Sequence, residues 1–415
     1  MAFDDVGLIG DAGPAPFALL PEADLARIEG QADRILAEIG IRFDDAGTAA
    51  RLFRPAGAVP RGDTLLFDGP SLRALIRGSA PAGFVQHARN PARSVRFGGG
   101  AMIMAPAFAM PFVTAEGGRR HARAADLAAA LRRVQSARGL AHGGGMPCEP
   151  TDLPPEGRHL RALALQLALT DKPVMGPARD PRDIGDALDI MALVFGDRDR
   201  CVLLNLFNTR CPLQFGARTV EGITATARAG QAALVTSYAV LGLTAPITLA
   251  GALAVMLAEL MVGAALTQLV RPGAPVMVGM HTVPFSISAM TPQFWGPETA
   301  LGMFAAAQLM RRLGLPFRID LGPTSSKTTD AQAASDTATA LAVARAARPD
   351  FSLHAAGWLD GAKTFDAAKF DLDAAILGRA GEPSSADDPL PLDAGVAEAI
   401  AAHIDRAVAS AGAAA

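Results

Sequence analysis

The chain has 415 residues, a formal net charge of −3 at pH 7 and three cysteines. The length allows a large domain with a smaller one attached, and no basic stretch is concentrated enough to indicate nucleic-acid binding. Cys148, Cys201 and Cys211 are too scattered for a disulfide scaffold or a metal site, so we expect reduced thiols and a cytoplasmic protein. The opening residues lack the basic and apolar segments of a signal peptide.

Residues 1–98 are predicted to form a small α-rich domain. Pro21–Ile39 has the apolar periodicity of a helix and ends at Gly40, a residue typical of helix ends. Two shorter helices and a hairpin are predicted to follow, at Ala46–Phe53, at Ser71–Gly78, and at Phe84–His87 paired with Ser94–Phe97.

Residues 99–381 contain eight alternations of an apolar strand and a helix. The predicted strands are Met102–Phe108, Leu140–Met146, Lys172–Pro177, Val202–Asn208, Ala233–Val240, Pro275–Val283, Pro316–Leu321 and Phe351–Ala356. Eight such alternations are typical of a (β/α)8 barrel, or TIM barrel, whose functional residues lie at the carboxyl ends of the strands. We therefore predict an α/β protein with a TIM barrel after the α-rich domain.

One stretch of the chain is apolar enough to resemble a membrane span. It contains no charged residue between Arg228 and Glu259, but a glycine and a proline divide it into the strand Ala233–Val240 and the helix Thr248–Val270. A buried strand followed by a barrel helix explains this pattern better than a membrane helix does.

Residues 382–415 are predicted to be a linker and a final helix. The segment Glu382–Pro389 is rich in Pro, Ser and Asp, which is typical of a linker, and the helix is predicted at about Ala394–Ser410.

Polar and aromatic side chains gather where the predicted strands end. Candidates on the strands or just beyond them are Asn205, Phe207, Asn208, Tyr238, His281, Asp320, His354 and Trp358, and the loops add Phe294, Trp295, Glu298, Ser326, Lys327, Asp330 and Gln332. A lone histidine is often only hydrogen-bonded in place, and an aspartate before a helix, such as Asp330, is usually an N-cap. Convergence of so many groups at one end of a barrel nevertheless favours a ligand site.

The absence of several common motifs narrows the chemistry. The sequence has no His/Cys/Asp/Glu cluster at zinc spacing, no GxSxG and no GxGxxG after a strand, so metal binding, serine hydrolysis and nucleotide-dependent hydride transfer are not supported. Aromatic side chains at the strand ends indicate a cationic small molecule.

Lysine usage gives an independent indication. The chain has only four lysines against many arginines, and Lys327, Lys363 and Lys369 all follow the last two predicted strands. This placement suggests that a compact ammonium group is needed there.

The chain resembles the trimethylamine methyltransferase family in several segments that occur in the same order. They are Ile35–Phe43, Thr244–Ala254, Ala258–Glu259, Gln268–Val276, Gly296–Glu298, Ser326–Lys327 with Asp330–Gln332, and His354–Leu359. The resemblance implies a TIM-barrel enzyme that removes a methyl group from a methylated amine. It also implies that the methyl usually passes to the cobalt of a separate corrinoid protein.

Three departures from the family pattern refine this expectation. The founding members carry pyrrolysine, whereas this chain has only standard residues and so is similar to members that demethylate quaternary amines such as glycine betaine. The family's Glu-Lys pair after the last strand reads here as Ala368-Lys369. The family usually extends further at its C-terminus.

The resemblance and the strand-end positions together assign expected roles. We expect catalytic groups at His281, Asp320, Lys327 and His354. Substrate-binding groups are expected at Asn205, Phe207, Tyr238, Phe294, Trp295, Glu298 and Trp358. Groups that bind the acceptor cofactor are expected at Asn208, Ser326, Asp330 and Gln332.

The expected activity is demethylation of a quaternary amine, with the methyl passing to a corrinoid protein or directly to tetrahydrofolate. The chain contains no corrinoid-binding Asp-x-His-x-x-Gly segment, so a corrinoid must arrive on a partner. We also expect a homo-oligomer. The alternatives are a barrel that binds betaine as a sensor without catalysis, and a lyase or aldolase that uses Lys327 as a Schiff base.

Overall fold

The computed structural model describes residues 15–176, 181–378 and 388–413. Residues 15–98 combine three helices with short strands. The helices are α1 (Glu22–Arg34), α2 (Ala46–Phe53) and α3 (Gly69–Ser79), and the strands are β1 (Ile41–Phe43), β2 (Val59–Arg61), β3 (Thr64–Leu66), β4 (Phe84–Gln86) and β5 (Val95–Phe97). The first three strands belong to a small sheet, a feature that the α-rich expectation omitted because three-residue strands show too little periodicity.

Seven parallel strands form the main sheet. In spatial order they are β6 (Ile103–Met104), β16 (Phe351–Leu353), β15 (Phe317–Asp320), β13 (Val276–Ser286), β12 (Ala232–Leu241), β10 (Leu203–Asn208) and β9 (Val174–Met175). Each lies at one of the predicted strand positions, and the predicted strand Leu140–Met146 is the one without a counterpart. The last residue predicted for the third strand, Pro177, lies outside the described residues.

The backbone of residues 142–144 lies between the two edge strands of this sheet. The N–H of His142 donates to the carbonyl of Met104 (3.2 Å), and the N–H of Gly143 donates to the carbonyl of Pro173 (2.8 Å), just before β9. Because one short segment contacts both edges, the sheet must curve strongly. Gly144 has a φ of +70°, which interrupts the alternation of a regular strand at this point.

Helices pack on the convex face of the sheet. They are α4 (Ala124–Ser136), α5 (Arg158–Leu169), α6 (Pro181–Phe195), α7 (Ala217–Arg228), α8 (Leu249–Val270), α9 (Pro297–Leu313), α10 (Ala331–Ala347), α11 (Ala367–Ile376) and α12 (Ala394–Ala413). The predicted linker falls mainly at residues 382–387, which lie outside the described part of the chain.

Helix α8 explains the long apolar stretch of the sequence. It is the one helix among the described residues that is long and apolar enough to cross a membrane, but 83% of its apolar window is buried inside the protein. It lies between β12 and β13 on one side and α1 and α3 on the other. Its apolar character on all sides is therefore that of an interior helix.

The β4–β5 hairpin fills the amino end of the concave side. Phe84 and Phe97 pack there in one apolar cluster with core residues of the main strands. Gln86 is fully buried and donates from Nε2 to the carbonyls of Val174 (2.8 Å) and Val202 (3.1 Å), at the start of two strands. Ligands therefore approach the concave side from the carboxyl end.

Short strands surround that carboxyl end. Strands β7 (Phe112–Ala115) and β8 (Gly118–His121) form a sheet with β17 (Trp358–Leu359) and β18 (Thr364–Phe365), and β14 (Thr291–Pro292) pairs with the end of β13. Strand β11 (Gln214–Phe215) pairs with β1 and so joins residues 15–98 to the chain that follows β10.

Candidate active site

The alternation of side chains along each strand decides which predicted residues face the concave side. On β12, Ser237 faces outward and donates to Glu259 of α8 (2.8 Å), whereas Thr236 faces inward and donates to Asn208 on the neighbouring strand. Tyr238 lies two residues after Thr236 and shares its side.

Four polar side chains converge at the carboxyl ends of β13, β15 and β16. His281 Nδ1 lies 3.4 Å from Asp320 Oδ2, and His354 Nε2 lies 3.9 Å from Asp320 Oδ1. Arg318, on the same face of β15, donates from Nη2 to Asp320 Oδ1. Arg318, Asp320 and His281 are buried, and the His354 side chain is only 12% exposed. We call these four residues the strand-end cluster.

The backbone of His354 departs from strand geometry in a way that places its side chain in this cluster. Phe351 and Leu353 face the concave side, in the same apolar cluster as Phe84 and Phe97. Alternation alone would therefore turn His354 toward the helices. Its φ of +62° lies in the left-handed region, which is uncommon for residues other than glycine. Such strain occurs preferentially at functional sites.

Burial controls the protonation of the cluster. It lowers the pKa of His281, against the opposing effect of Asp320, and lowers the pKa of His354 to about 3, so both imidazoles are neutral at pH 7. Burial alone would raise the pKa of Asp320, but the charge of Arg318, with smaller effects of the two histidines, lowers it below its ordinary value of 3.8. The cluster therefore holds one ionised carboxylate and two neutral imidazoles.

Several buried nitrogen atoms of the cluster have no hydrogen-bond partner among the described residues. They are Nδ1 and Nε2 of His281, Nδ1 of His354 and Nε of Arg318. Buried polar atoms in folded proteins are nearly always paired with protein, water or ligand. Their concentration in one place indicates a site that receives a polar ligand.

Three predicted aromatic residues border the cluster. Tyr238 stacks on His281 with ring centroids 5.7 Å apart, and Trp358 lies edge-on to His354 at 4.5 Å. Phe294 in turn lies edge-on to Trp358 at 5.6 Å. Trp358 is buried, and its Nε1 donates to the carbonyl of Thr324 (3.1 Å), which restrains one end of the indole.

Two predicted substrate-binding residues face the helices instead. Asn205 donates from Nδ2 to Thr226 of α7 (3.0 Å), and Phe207 lies directly under Gly222 of the same helix, where an added Cβ would be 2.5 Å from its ring. The expectation that these side chains line the cavity is therefore wrong. They occupy the outward-facing positions of β10, whereas Asn208 faces inward.

Trp295 is also separated from the cluster. Its Nε1 donates to Thr339 of α10 (2.8 Å), so the indole lies against that helix and not beside His354. Glu298 lies exposed in the first turn of α9. The expected grouping of Trp295 and Glu298 with the substrate-binding residues is not what the structure shows.

The residues expected to bind an acceptor cofactor have local structural partners. Asp330 caps α10 by accepting from the N–H of Ala333 (2.9 Å), and Ser326 donates to the same carboxylate (2.8 Å). Gln332 is exposed in the first turn of that helix. The N-cap interpretation of Asp330 is thus confirmed.

A cleft of about 950 Å³ lies at the carboxyl end, beyond the strand-end cluster. Phe294 is part of its wall and connects it to Trp358. Lys327 and Lys363 line the same cleft, so two of the four lysines are found at this opening. Lys327, which was expected to be catalytic, therefore lines this cleft and is not one of the four residues of the strand-end cluster.

Arg318 was missed by the sequence reasoning, although a signal was available. It lies two residues before Asp320 on a predicted strand and so must share its face. An arginine facing inward in an otherwise apolar strand needs a carboxylate partner.

The same architecture occurs among methylamine methyltransferases. The crystal structure of monomethylamine methyltransferase from Methanosarcina barkeri superimposes with a TM-score of 0.59 and covers 95% of this chain and 79% of its own. At 10% sequence identity this likeness shows the fold alone.

Sequence similarity establishes the family. The model of the trimethylamine methyltransferase (MTTB) family matches residues 11–404. Glycine betaine methyltransferase from Desulfitobacterium hafniense is 33% identical over 87% of this chain and 76% of its own length. Proline betaine:corrinoid methyltransferase from Eubacterium limosum is 25% identical over 82% of this chain and 72% of its own. The chain belongs to the trimethylamine methyltransferase family.

Proposed function

We propose that this chain demethylates a quaternary amine, with glycine betaine the favoured substrate, and passes the methyl group to a corrinoid carried by a separate protein. The two relatives named above support the substrate class, because both names specify betaines. The name of the second relative also specifies a corrinoid as the acceptor.

The observation that carries the proposal is that the strand-end cluster contains both a negative charge and unpaired hydrogen-bond donors. Glycine betaine carries a quaternary ammonium at one end and a carboxylate at the other. The ionised Asp320 and the faces of Tyr238 and Trp358 attract the cation. One ring nitrogen of each neutral histidine, together with Nε of Arg318, can donate to the carboxylate. A simple alkylamine would leave these donors unsatisfied.

The chemistry of a quaternary amine suits this site. When the C–N bond breaks, its electron pair stays on nitrogen and the product is a neutral tertiary amine, so no proton has to be delivered. A reduced corrinoid supplies a strong cobalt nucleophile that accepts the methyl group. The residues of this chain then need to hold the amine, point its methyl group toward the carboxyl end of the sheet, where the acceptor would approach, and exclude water. Two neutral imidazoles are compatible with that role because no general acid is required.

Further assignments belong to the same proposal. We assign Phe294 to the wall that guides the ammonium group, and Lys327 with Asn208 to the side that faces the acceptor. The proposed fold is a complete (β/α)8 barrel in which residues 142–144 take the place of the eighth strand, between β6 and β9. Residues 1–98 form the preceding domain.

We also propose a cytoplasmic homo-oligomer. All three cysteines are free, which suits a reducing compartment. Large apolar side chains are exposed in the loops that follow β12 and β13, with Ile247 at 79% and Ile287 at 82% exposure. Light scattering on the purified chain measures the subunit number directly, and a monomer at micromolar concentration would contradict the oligomer.

The deciding experiment supplies the purified chain with glycine betaine and either a reduced corrinoid protein or tetrahydrofolate, and measures dimethylglycine by mass spectrometry. We expect dimethylglycine with the corrinoid protein. Product with tetrahydrofolate alone would move the acceptor assignment to folate. Betaine binding without product in either case would support a sensor.

Titration calorimetry tests the substrate class separately. The absence of binding heat with glycine betaine, proline betaine, carnitine and choline would refute the quaternary-amine proposal. Borohydride trapping of a carbonyl compound on Lys327 would instead indicate the aldolase alternative. Lys327→Arg is the matched control, since it keeps the charge but cannot form the same Schiff base.

A further inference from the structure

A fully buried ion pair lies behind the segment that carries His354 and Trp358. Lys369 and Asp373 are one turn apart on α11, and both side chains are 0% exposed. Lys369 Nζ donates to Asp373 Oδ1 and to the hydroxyl of Thr337 on α10 (2.8 Å), and that hydroxyl donates to the same carboxylate oxygen (2.7 Å). The structure thus gives Lys369 an anionic partner within its own helix.

The second oxygen of Asp373 contacts the backbone next to Trp358. Asp373 Oδ2 accepts a hydrogen bond from the backbone N–H of Gly357 (2.9 Å). Gly357 directly precedes Trp358, and its φ of +89° is a left-handed conformation that glycine adopts readily. A Cβ at this position would lie 2.6 Å from the ring of Phe365, so the backbone cannot shift freely toward that side.

An ion pair in the interior is weak evidence for a purely stabilising role. Desolvation of two charges offsets most of their attraction, and well-packed apolar residues often replace such a pair without loss of stability. What an apolar pair cannot replace is an acceptor for the Gly357 N–H. The geometry therefore separates two functions of Asp373: balancing the charge of Lys369 and holding one backbone amide.

We propose that Asp373 is a positioning residue that, supported by Lys369 and Thr337, holds the Gly357 amide and thereby orients Trp358 against His354. The importance of this orientation for substrate binding rests on the proposed function. The structural part of the inference does not, because the environment of Trp358 can be measured without any substrate.

Two double variants separate the positioning role from a stabilising one. Lys369→Met with Asp373→Asn removes both charges but keeps a carbonyl oxygen for Gly357 and an amide donor for Thr337. Lys369→Met with Asp373→Leu removes the same charges at similar size but leaves Gly357 without an acceptor. Both are made in a Trp295→Phe background, in which Trp358 is the single tryptophan of the chain. Asp371→Asn, at a 63% exposed position of the same helix, is the surface control.

The measurements are Trp358 fluorescence, its quenching by acrylamide, and betaine affinity by calorimetry. We expect the asparagine variant and the surface control to match the background protein. The leucine variant should show red-shifted, more quenchable emission and weaker betaine binding, even where its melting temperature is unchanged. If the leucine variant does not fold, Asp373→Ala with Lys369→Met replaces it, since a smaller side chain cannot overpack the site.

Identical Trp358 emission and quenching in the asparagine and leucine variants would overturn the proposal. If the background protein itself binds no betaine, the proposed function fails, but the fluorescence comparison still decides the role of Asp373.

Discussion

Arg318 and Asp320 form a buried ion pair between residues two apart on a single strand. Because side chains at i and i+2 share one face of a strand, the guanidinium and the carboxylate both point to the concave side of the sheet. The pair keeps the carboxylate ionised beside two neutral imidazoles. The carboxylate that we assign to binding the quaternary ammonium thus belongs to a strand of the main sheet, at its last residue, and not to a loop.

Breaking this pair on one side should be costly. In Asp320→Asn the charge of Arg318 stays buried without its counter-charge, and we expect the free energy of unfolding to fall by about 3–5 kcal/mol. The double variant Arg318→Met with Asp320→Leu should be much closer to wild type in stability, yet bind no betaine. Urea denaturation and calorimetry measure the two effects. Wild-type stability in Asp320→Asn would show that the pair is not energetically coupled.

Replacing Trp358 by alanine should weaken betaine binding about tenfold or more, since a desolvated cation–π contact contributes roughly 1–2 kcal/mol. An uncharged isostere of betaine should be less affected. Trp295→Ala is the matched control, because that indole bonds to Thr339 and lies apart from the cluster. Both tryptophans were expected to bind substrate, but Trp358 is the one that contacts the strand-end cluster. Equal losses in the two variants, measured by calorimetry, would contradict the placement described above.

Stability should fall as the solution becomes acidic below pH 6.5. Burial lowers the pKa values of His142 and His354 to about 3, so the unfolded chain takes up protons at a pH where the folded chain does not. The free energy of unfolding therefore keeps its full value above pH 6.5. It decreases as the pH falls toward 3, by about 1.4 kcal/mol per pH unit for each histidine. Asp320 adds a further loss only below its ordinary pKa of 3.8.

The histidine part of this pH dependence can be tested by substitution. Urea denaturation at pH 7 and pH 5 should show a smaller decrease for His354→Phe than for wild type. His121→Asn, at an exposed position of β8, is the control and should follow wild type. A decrease of equal size in all three proteins would mean that His354 is protonated in the folded chain.

Glu259 should be needed for the fold and not for the chemistry. Its buried carboxylate accepts from the backbone N–H of Leu213 (2.7 Å) and from the hydroxyls of Thr209 and Ser237. Glu259→Ala leaves these donors unpaired, at a cost of about 1–3 kcal/mol for each buried group. Thermal denaturation should show a large loss, whereas Glu298→Ala on the surface should change little. Comparable melting temperatures would refute the assignment.

Long, regular elements were predictable from the sequence. Helix α8 begins one residue after its predicted start and ends at the predicted Val270, because a mostly apolar run of 22 residues between a threonine cap and Arg271 leaves little ambiguity. Strands β10, β12 and β13 were predicted within a few residues for the same reason. The segment Leu140–Met146 was misassigned as a regular strand because apolar content does not reveal the left-handed turn at Gly144.

The composition of the site was predictable only where the strand face was unambiguous. His281, Asp320 and Tyr238 occupy inward-facing positions of their strands, whereas Asn205 and Phe207 occupy outward-facing positions of β10 and so were predicted on the wrong face. His354 was predicted to face inward because it follows a strand, but its side chain faces inward because its φ is positive, which the sequence does not indicate. The Asp373–Gly357 contact joins residues 16 apart and has no local sequence signal.

The hairpin that occupies the amino end of the sheet bears on how ligands of the proposed reaction reach the concave side. Gln86 bonds to the carbonyls of Val174 and Val202 at the amino ends of β9 and β10, so it helps to close that end of the concave side, and the cleft lined by Lys327 and Lys363 lies at the opposite, carboxyl end. Under the proposed function, the amine, its demethylated product and the methyl acceptor would all approach from the carboxyl end. If the acceptor protein covers that end, we expect the amine to bind before the acceptor and the product to leave after it.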